Sequence, residues 1–352
     1  MRLITDWFRR TFSDPQIVFL TLVLLAGFAV VLIMGNMLAP VLASAVIAYL
    51  LEGLIVALED RGAPRLLAVV VVFIAFMVFL AAVVFGLLPV VSRQITQLVQ
   101  QLPNMISEAQ NALMNLPQRY PEIVSAEQTQ QIVDSIKVEL AGFGQHVLSL
   151  SLSSVVGVLT LVVYLVLMPM LVFFFLKDKY LIMSWFTRFM PGERGLAARV
   201  WRDVDRQIAN YVRGKFWEIV IVWAASFVVF AFFELQYAML LAVLVGLSVV
   251  IPYVGATVVT VPVVMVAWFQ WGWSSDFIAV SVAYLIIQAL DGNVLVPLLF
   301  GEVVSLHPVA IIVAILVFGG LWGFWGVFFA IPLATLVNAI LRAWPNHRLE
   351  HA

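Results

Sequence analysis

The amino-acid sequence predicts an all-α polytopic membrane protein. Hydrophobic residues make up 64% of the 352 residues and charged residues only 11%, against roughly 45–50% and about 25% in soluble domains. A soluble fold could not cover so much apolar surface with so few charges. The apolar residues fall into long segments separated by polar stretches. We expect six full spans, two re-entrant helical hairpins and an inverted repeat in the C-terminal half.

The composition excludes several functions. The sequence has no Cys, which excludes a disulfide scaffold, a thiolate metal site and a cysteine nucleophile. The net charge of −1 argues against binding to nucleic acid. We find no HExxH metal pair, no GxSG nucleophile motif and no Walker A loop. We therefore expect neither an enzyme nor an ATP-driven pump, and no cofactor.

Six segments have roughly the 20 apolar residues that a spanning helix needs. They are residues 17–34, 38–56, 66–88, 155–176, 216–233 and 277–300. Arg2, Arg9 and Arg10 precede an apolar stretch that is too long for a signal peptide. We expect this first segment to be a retained helix.

The distribution of Lys and Arg predicts the orientation. Nine of the 19 lie in residues 177–215, which the positive-inside rule places in the cytoplasm with both termini and the loop of Arg61 and Arg65. The resulting parts are three N-terminal spans (1–90), an external helical cap (91–152), a fourth span (153–176), a cytoplasmic region (177–215) and a transport core (216–345).

Two of these parts are amphipathic. Helical spacing of Val91, Ile95, Leu98 and Leu102 predicts that the cap is helical; it is either a gate or docking surface, or a rigid connector. Residues 193–215 combine an apolar stripe with a basic face. This helix either lies on the inner leaflet or couples to a moving bundle.

One carboxylate is predicted to lie deep in the membrane. A charge at the bilayer centre costs roughly 2.5–3.5 kcal/mol on insertion scales. Of the five acids between residues 217 and 341, Glu218, Glu234, Asp276 and Glu302 are expected to reach water near span ends. Asp291 lies inside the span 277–300.

Asp291 has polar neighbours on its helix. Ser281, Tyr284, Gln288 and Asp291 share one helix face, and a kink at Gly292 or Pro297 would bring Asn293 toward them. This stripe is either a site for solute or ions, or a hydrogen-bonded seam that only holds helices together.

Two apolar stretches, 238–270 and 307–341, are too long for one span and too short for two. The first is interrupted by Pro252, Tyr253 and Gly255, and the second by Gly323 and Gly326. Each is either a re-entrant hairpin or one long, kinked, tilted span. Because each follows a complete span and their sequences resemble each other, the hairpin interpretation predicts an inverted repeat.

His307 opens the second stretch, where it either contributes to proton coupling or caps the helix that follows. Glu302 and Glu234 are further candidates for coupling.

The ordered motifs of this chain resemble the AI-2E (autoinducer-2 exporter) family of permeases. The motifs are Lys177-Asp178-Lys179, Asn210-Tyr211-Val212-Arg213-Gly214, Ile251-Pro252-Tyr253-Val254-Gly255, Asp291-Gly292-Asn293 with Pro297, Leu306-His307-Pro308, and Trp322-Gly323 with Gly326 and Ile331-Pro332. The resemblance implies an oligomeric permease of the bacterial inner membrane, which exports a small autoinducer-like solute or exchanges sodium for protons.

We expect a secondary transporter in the lipid bilayer, whose site binds a small polar solute together with a monovalent cation or proton. Its predicted residues are Asp291, Asn293, Gln288, Tyr284, Pro252, Tyr253, Gly255, Gly323 and Gly326. A passive channel and a scaffold for envelope or division machinery are the alternatives.

Overall fold

The computed structural model describes residues 15–114, 154–188, 195–252, 254–300 and 307–343. Within these ranges the chain is about 90% helical and has no strand, as the sequence predicts. The helices are α1 (Pro15–Glu59), α2 (Arg65–Ala82), α3 (Leu88–Met114), α4 (Ser154–Lys177), α5 (Lys179–Thr187), α6 (Gly195–Phe232), α7 (Ala238–Ser248), α8 (Val254–Trp271), α9 (Ser275–Leu290), α10 (Val296–Phe300), α11 (Pro308–Phe328) and α12 (Ala330–Ala343). Most of the predicted cap lies outside the described residues.

Helix α1 corrects the prediction of two spans at 17–34 and 38–56. The 45 residues of Pro15–Glu59 form one uninterrupted helix, which is about 67 Å long. A helix without a turn cannot cross a core of about 30 Å twice. A lone glycine such as Gly35 costs a helix only about 1 kcal/mol, and that is too little to force a reversal between two strongly helical segments.

Helices α2 and α3 form one long rod. The π-helical turn Val83–Leu87 joins them without a break, so the predicted span 66–88 continues directly into the first helix of the cap. Val91 and Leu98 on the predicted apolar face pack against the core around α7, where Met105 is also buried. The protein itself therefore covers part of the apolar face of this helix, whereas Ile95 on the same face is exposed.

Charged residues link the ends of α1, α2 and α4. Arg65 lies 3.3 Å from Glu52 and donates to the carbonyl of Leu176 at 2.9 Å. Lys179 reaches the same Glu52 carboxylate at 3.0 Å. Because a buried carboxylate shared by two cations resists separation, this cluster fixes the three helices to one another.

Helix α6 is the central element of the fold. Its 38 residues join the predicted amphipathic helix and the predicted span 216–233 into one continuous rod. It packs against α1, α7, α9, α10 and α12. The amphipathic part is therefore not a separate surface helix: Tyr49 of α1 donates a hydrogen bond to its Asp205 at 2.6 Å.

The chain reverses between α7 and α8, and we call residues 249–252 of this turn the first reversal. Gln270 near the end of α8 donates to the carbonyl of Glu234 at 2.8 Å and accepts from the backbone of Gln236 at 2.7 Å. Both of these partners lie just before α7. The pair of helices therefore starts and finishes at the same end of α6, and the 11 residues of α7 extend only about 16 Å.

A second reversal, which comprises residues 323–328, interrupts α11 at Gly323, which has φ 59° and ψ −136°. A positive φ of this kind suits glycine. The backbone then folds back, so that Gly326 lies against the carbonyl of Phe318. Both reversals fall where Pro and Gly interrupt the two overlong stretches, at 252–255 and 319–326.

Six helices among the described residues are long and apolar enough to cross a membrane. They are Met37–Glu59, Arg65–Glu108, Asp205–Phe232, Val254–Trp271, Ser275–Phe300 and Val309–Phe328. Their number equals the number of predicted spans, and four of them coincide with predicted spans. The other two, Val254–Trp271 and Val309–Phe328, lie in the predicted hairpins, and Val309–Phe328 contains the second reversal.

Substituting Gly326, in the second reversal, is expected to destabilise the protein. A Cβ on Gly326 would collide with the backbone carbonyl of Phe318, whereas a Cβ on Gly320 meets nothing within 4 Å. Gly326→Ala should lower the free energy of unfolding by about 1–3 kcal/mol, and Gly320→Ala should not lower it. Thermal unfolding in detergent measures both, and equal melting temperatures for the two variants would contradict the tight reversal.

Candidate functional site

A buried ion pair lies in the middle of α6. Lys215 Nζ is 2.6 Å from Glu218 Oε2, and the two side chains are only 5% and 3% exposed. The residues are one helical turn apart, so the helix itself brings them together. Lys215 lies 17 residues before the end of α6 at Phe232, a distance of about 25 Å along the helix. The pair is therefore far from the end of α6 where α7 starts.

Lys215 also holds the first reversal against α6. Its ammonium group donates a second hydrogen bond, of 2.7 Å, to the carbonyl of Val249. It lies 5.3 Å from the ring centre of Phe300 in α10. Helices α6 and α10 can approach closely beside Lys215 because Gly214 has no side chain that would collide with the Phe300 ring. One lysine thus contacts three elements of the fold.

The positions of Lys215 and Glu218 correct two predictions. Lys215 was expected among the cytoplasmic basic residues, and Glu218 was expected to reach water. In the structure both are buried. Both residues were expected to be exposed because they lie next to the predicted start of the span 216–233. In the structure α6 continues through that start, and other elements cover both side chains. Their i,i+3 spacing with opposite charges was the available sequence signal.

Asp291 begins the π-helical turn Asp291–Leu295, which follows α9 and packs against α6. Its side chain is half-buried, and its Oδ1 atom has no hydrogen-bond partner within the described part of the chain. Both Lys215 and Glu218 act on it electrostatically. Lys215, Glu218 and Asp291, which we call the charged cluster, therefore comprise two carboxylates and one ammonium group.

The second reversal contacts α6 one turn away from the first. The Tyr211 hydroxyl donates to the carbonyl of Phe328 at 3.0 Å, and the Tyr211 ring packs on Phe300 and Phe328. Tyr211 and Lys215 are four residues apart, so they lie on one face of α6. Both reversals thus meet the same short segment of α6.

The predicted polar stripe on α9 divides into two groups. Tyr284 is fully buried and lies 3.0 Å from the Thr260 hydroxyl of α8, while Gln288 donates to the Tyr284 hydroxyl at 2.6 Å. These three residues form a hydrogen-bonded seam between α8 and α9. Asn293 is exposed and donates to its own helix, at the Ala289 carbonyl, so the expected kink does not turn it toward Asp291.

The other predicted residues lie at the reversals or at helix ends. Pro252, Gly255, Gly323 and Gly326 lie at or beside the reversals, and Tyr253 and Glu302 lie outside the described residues. His307 is exposed, and its Nδ1 accepts from the backbone of Val309 as the N-cap of α11. Glu234, with φ 53°, lies at the end of α6 that is remote from the charged cluster.

No group of three or more His, Asp or Glu that could hold a metal ion occurs in the parts of the chain that the structure describes. The charged cluster has instead the donors and acceptors that a polar or cationic solute needs. The ion pair supplies both charges, and Asp291 Oδ1 supplies an unused acceptor. In an apolar environment such groups interact strongly with a polar ligand.

The six apolar helices in the described part of the chain define a multi-pass membrane protein. The chain belongs to the AI-2E transporter family, whose model matches residues 19–346. It is 45% identical over 349 residues to "Putative permease PerM" of Escherichia coli strain K12, covering 99% of each chain. It is 26% identical to "Putative transport protein YueF" of Bacillus subtilis strain 168, covering 93% of this chain and 91% of the relative.

Removing one partner of the buried ion pair should destabilise the protein strongly. Lys215→Met leaves Glu218 as an unpaired buried charge and is expected to cost about 3–5 kcal/mol of unfolding free energy. The double variant Lys215→Met/Glu218→Gln removes both charges and should recover part of that loss. Lys177→Met is the control, because Lys177 pairs with Asp178 at the surface, at 3.8 Å, and should change stability by less than about 1 kcal/mol.

Thermal unfolding in detergent measures the stability of each of these variants. Equal losses for the single and the double variant would contradict a paired interaction, since they would indicate that Lys215 contributes only through its packing.

Proposed function

We propose that this protein is a secondary-active permease of the bacterial inner membrane that moves a small polar solute coupled to protons or monovalent cations. The observation that carries the proposal is the charged cluster. Buried charges in membrane helices are costly, and they mark solute pathways more often than they contribute to stability. Membership of a transporter family supports the same class of function.

The proposed site lies where both reversals meet α6. The first reversal contributes the Val249 carbonyl and the second the Phe328 carbonyl, and each is held by a side chain of α6. Non-helical backbone at membrane depth is tolerated only when it is buried in protein or lines a cavity. We therefore propose that both reversals are tips of re-entrant hairpins, arranged as the inverted repeat that transporters of this kind use.

Asp291 is the proposed binding group for the cation or proton. It is the member of the charged cluster whose Oδ1 atom has no hydrogen-bond partner among the described residues. Lys215 and Glu218 neutralise each other, so Asp291 contributes the net negative charge of the site. A polar solute would then bind to the backbone carbonyls and to the ion pair, and movement of the hairpins against α6 would alternate access.

The proposal predicts that transport depends on Asp291. Liposomes containing the purified protein are loaded with a mixture of small polar metabolites and with the pH-sensitive dye pyranine. A proton or sodium gradient is then imposed, and mass spectrometry measures which solutes leave faster than from empty liposomes. Asp291→Asn is expected to slow this transport at least about tenfold, which corresponds to about 1.4 kcal/mol in the barrier.

Asp276→Asn is the matched control, because Asp276 lies on α9 as well but is exposed near its start. It should transport like the parent protein. Flux that neither saturates nor responds to the gradient would indicate a channel. If the parent protein accelerates neither solute release nor the dye response to sodium, the proposal is wrong and a scaffold role is favoured.

A further inference from the structure

Lys215 has more hydrogen-bonding capacity than it uses. An ammonium group has three N–H donors. In the described part of the chain two of them are used, by Glu218 Oε2 at 2.6 Å and by the Val249 carbonyl at 2.7 Å. Both bonds are short, and the side chain is 5% exposed. The observed arrangement therefore fixes the first reversal to α6 and, among the described residues, leaves one donor without an acceptor.

Asp291, in turn, has a carboxylate oxygen that lacks a hydrogen-bond donor. Its Oδ1 atom is buried and has no donor within the described ranges, although Lys215 acts on it electrostatically. A buried carboxylate oxygen without a donor carries a desolvation penalty. The cation of the cluster, Lys215, instead directs its bonds to Glu218 and Val249. The two carboxylates thus compete for one ammonium group.

The two possible partners of Lys215 belong to different elements. Glu218 lies on α6 together with Lys215, so pairing with it directs the ammonium group toward the Val249 carbonyl of the first reversal. Asp291 lies after α9, in a π-helical turn that α10 continues. The turn Asp291–Leu295 packs against α6, and a lysine side chain is flexible with donors that rotate freely. A change of partner would therefore need a rotation of the Lys215 side chain rather than a movement of α6.

We propose that Lys215 is a partner-switching lysine that controls the first reversal. Paired with Glu218, it also binds the Val249 carbonyl and holds the reversal closed on α6. Paired with Asp291, it releases that carbonyl, and the reversal separates from α6. The role of this switch in transport rests on the proposed function. The switch itself is a property of the protein without bound solute, so it can be measured in the absence of any solute.

A single introduced cysteine can report on the position of the first reversal. The natural sequence contains no cysteine, so Ile251→Cys provides the only thiol. Ile251 lies in the first reversal and is partly buried. The rate at which a water-soluble methanethiosulfonate reagent modifies this thiol in proteoliposomes then measures how often the reversal is open.

The switch predicts opposite effects for the two carboxylates. Glu218→Gln leaves Asp291 as the only carboxylate for Lys215 and should speed the labelling of the introduced thiol about tenfold, the order expected when one charge-assisted hydrogen bond is lost. Asp291→Asn removes the alternative partner, keeps Lys215 on Glu218, and should slow labelling by a similar factor. Asp276→Asn should leave the rate unchanged. None of these substitutions should change the labelling of a thiol placed instead at an exposed control position by Trp273→Cys.

The Asp291→Asn result decides the question even if Glu218→Gln is unstable, because loss of folding speeds labelling and cannot slow it. A labelling rate that Asp291→Asn leaves unchanged or raises overturns the switch and leaves Lys215 with a fixed structural role. The transport test is separate. If labelling shows the opposite effects but metabolite transport does not depend on Asp291, the switch stands and the proposed site is wrong.

Discussion

The hydrogen bonds of Lys215 with Glu218 and with the Val249 carbonyl constrain the rest of the structure. Removing an ion from water costs several kcal/mol, so the chain keeps these two charges buried only with their partners in place. Helix α6 carries the pair and packs against five other helices. A change in the position of Lys215 therefore reaches the first reversal directly and α10 through the ring of Phe300.

The two reversals are built alike but attached differently. In each, a glycine lies against the carbonyl of a residue seven or eight positions earlier: Gly255 against Ser248, and Gly326 against Phe318. Each also presents one carbonyl to α6. The first is bound by a charged group and the second by a neutral hydroxyl. Since bonds from charged donors are stronger and respond to nearby charges, the first reversal is the more sensitive of the two to the ionisation of its surroundings.

Much of the fold could be predicted from the sequence. Composition predicted the membrane class, and the interruptions at Pro252 and Gly323 fall where the chain reverses. The assignment of Asp291 to a binding site, made from the burial cost of a lone acid, stays a prediction. The junctions of helices could not be predicted, because the chain remains helical through residues that often end helices, such as Gly35, Pro89 and Gly214. Lys215 and Glu218 were missed for that reason: their burial depends on contacts with Val249 and Phe300, which are distant in sequence.

The composition of the charged cluster explains how a lysine can move inside a membrane protein. Separating Lys215 from every carboxylate would leave three isolated charges in a medium of low dielectric constant, where unpaired ions are prohibitively costly. Exchange between Glu218 and Asp291 keeps one ion pair intact in both states, so the total charge does not change. The energy difference between the states then depends on the weaker bonds, chiefly that to the Val249 carbonyl. Two carboxylates and one ammonium group are therefore the smallest set of charges that permits such a movement at moderate cost.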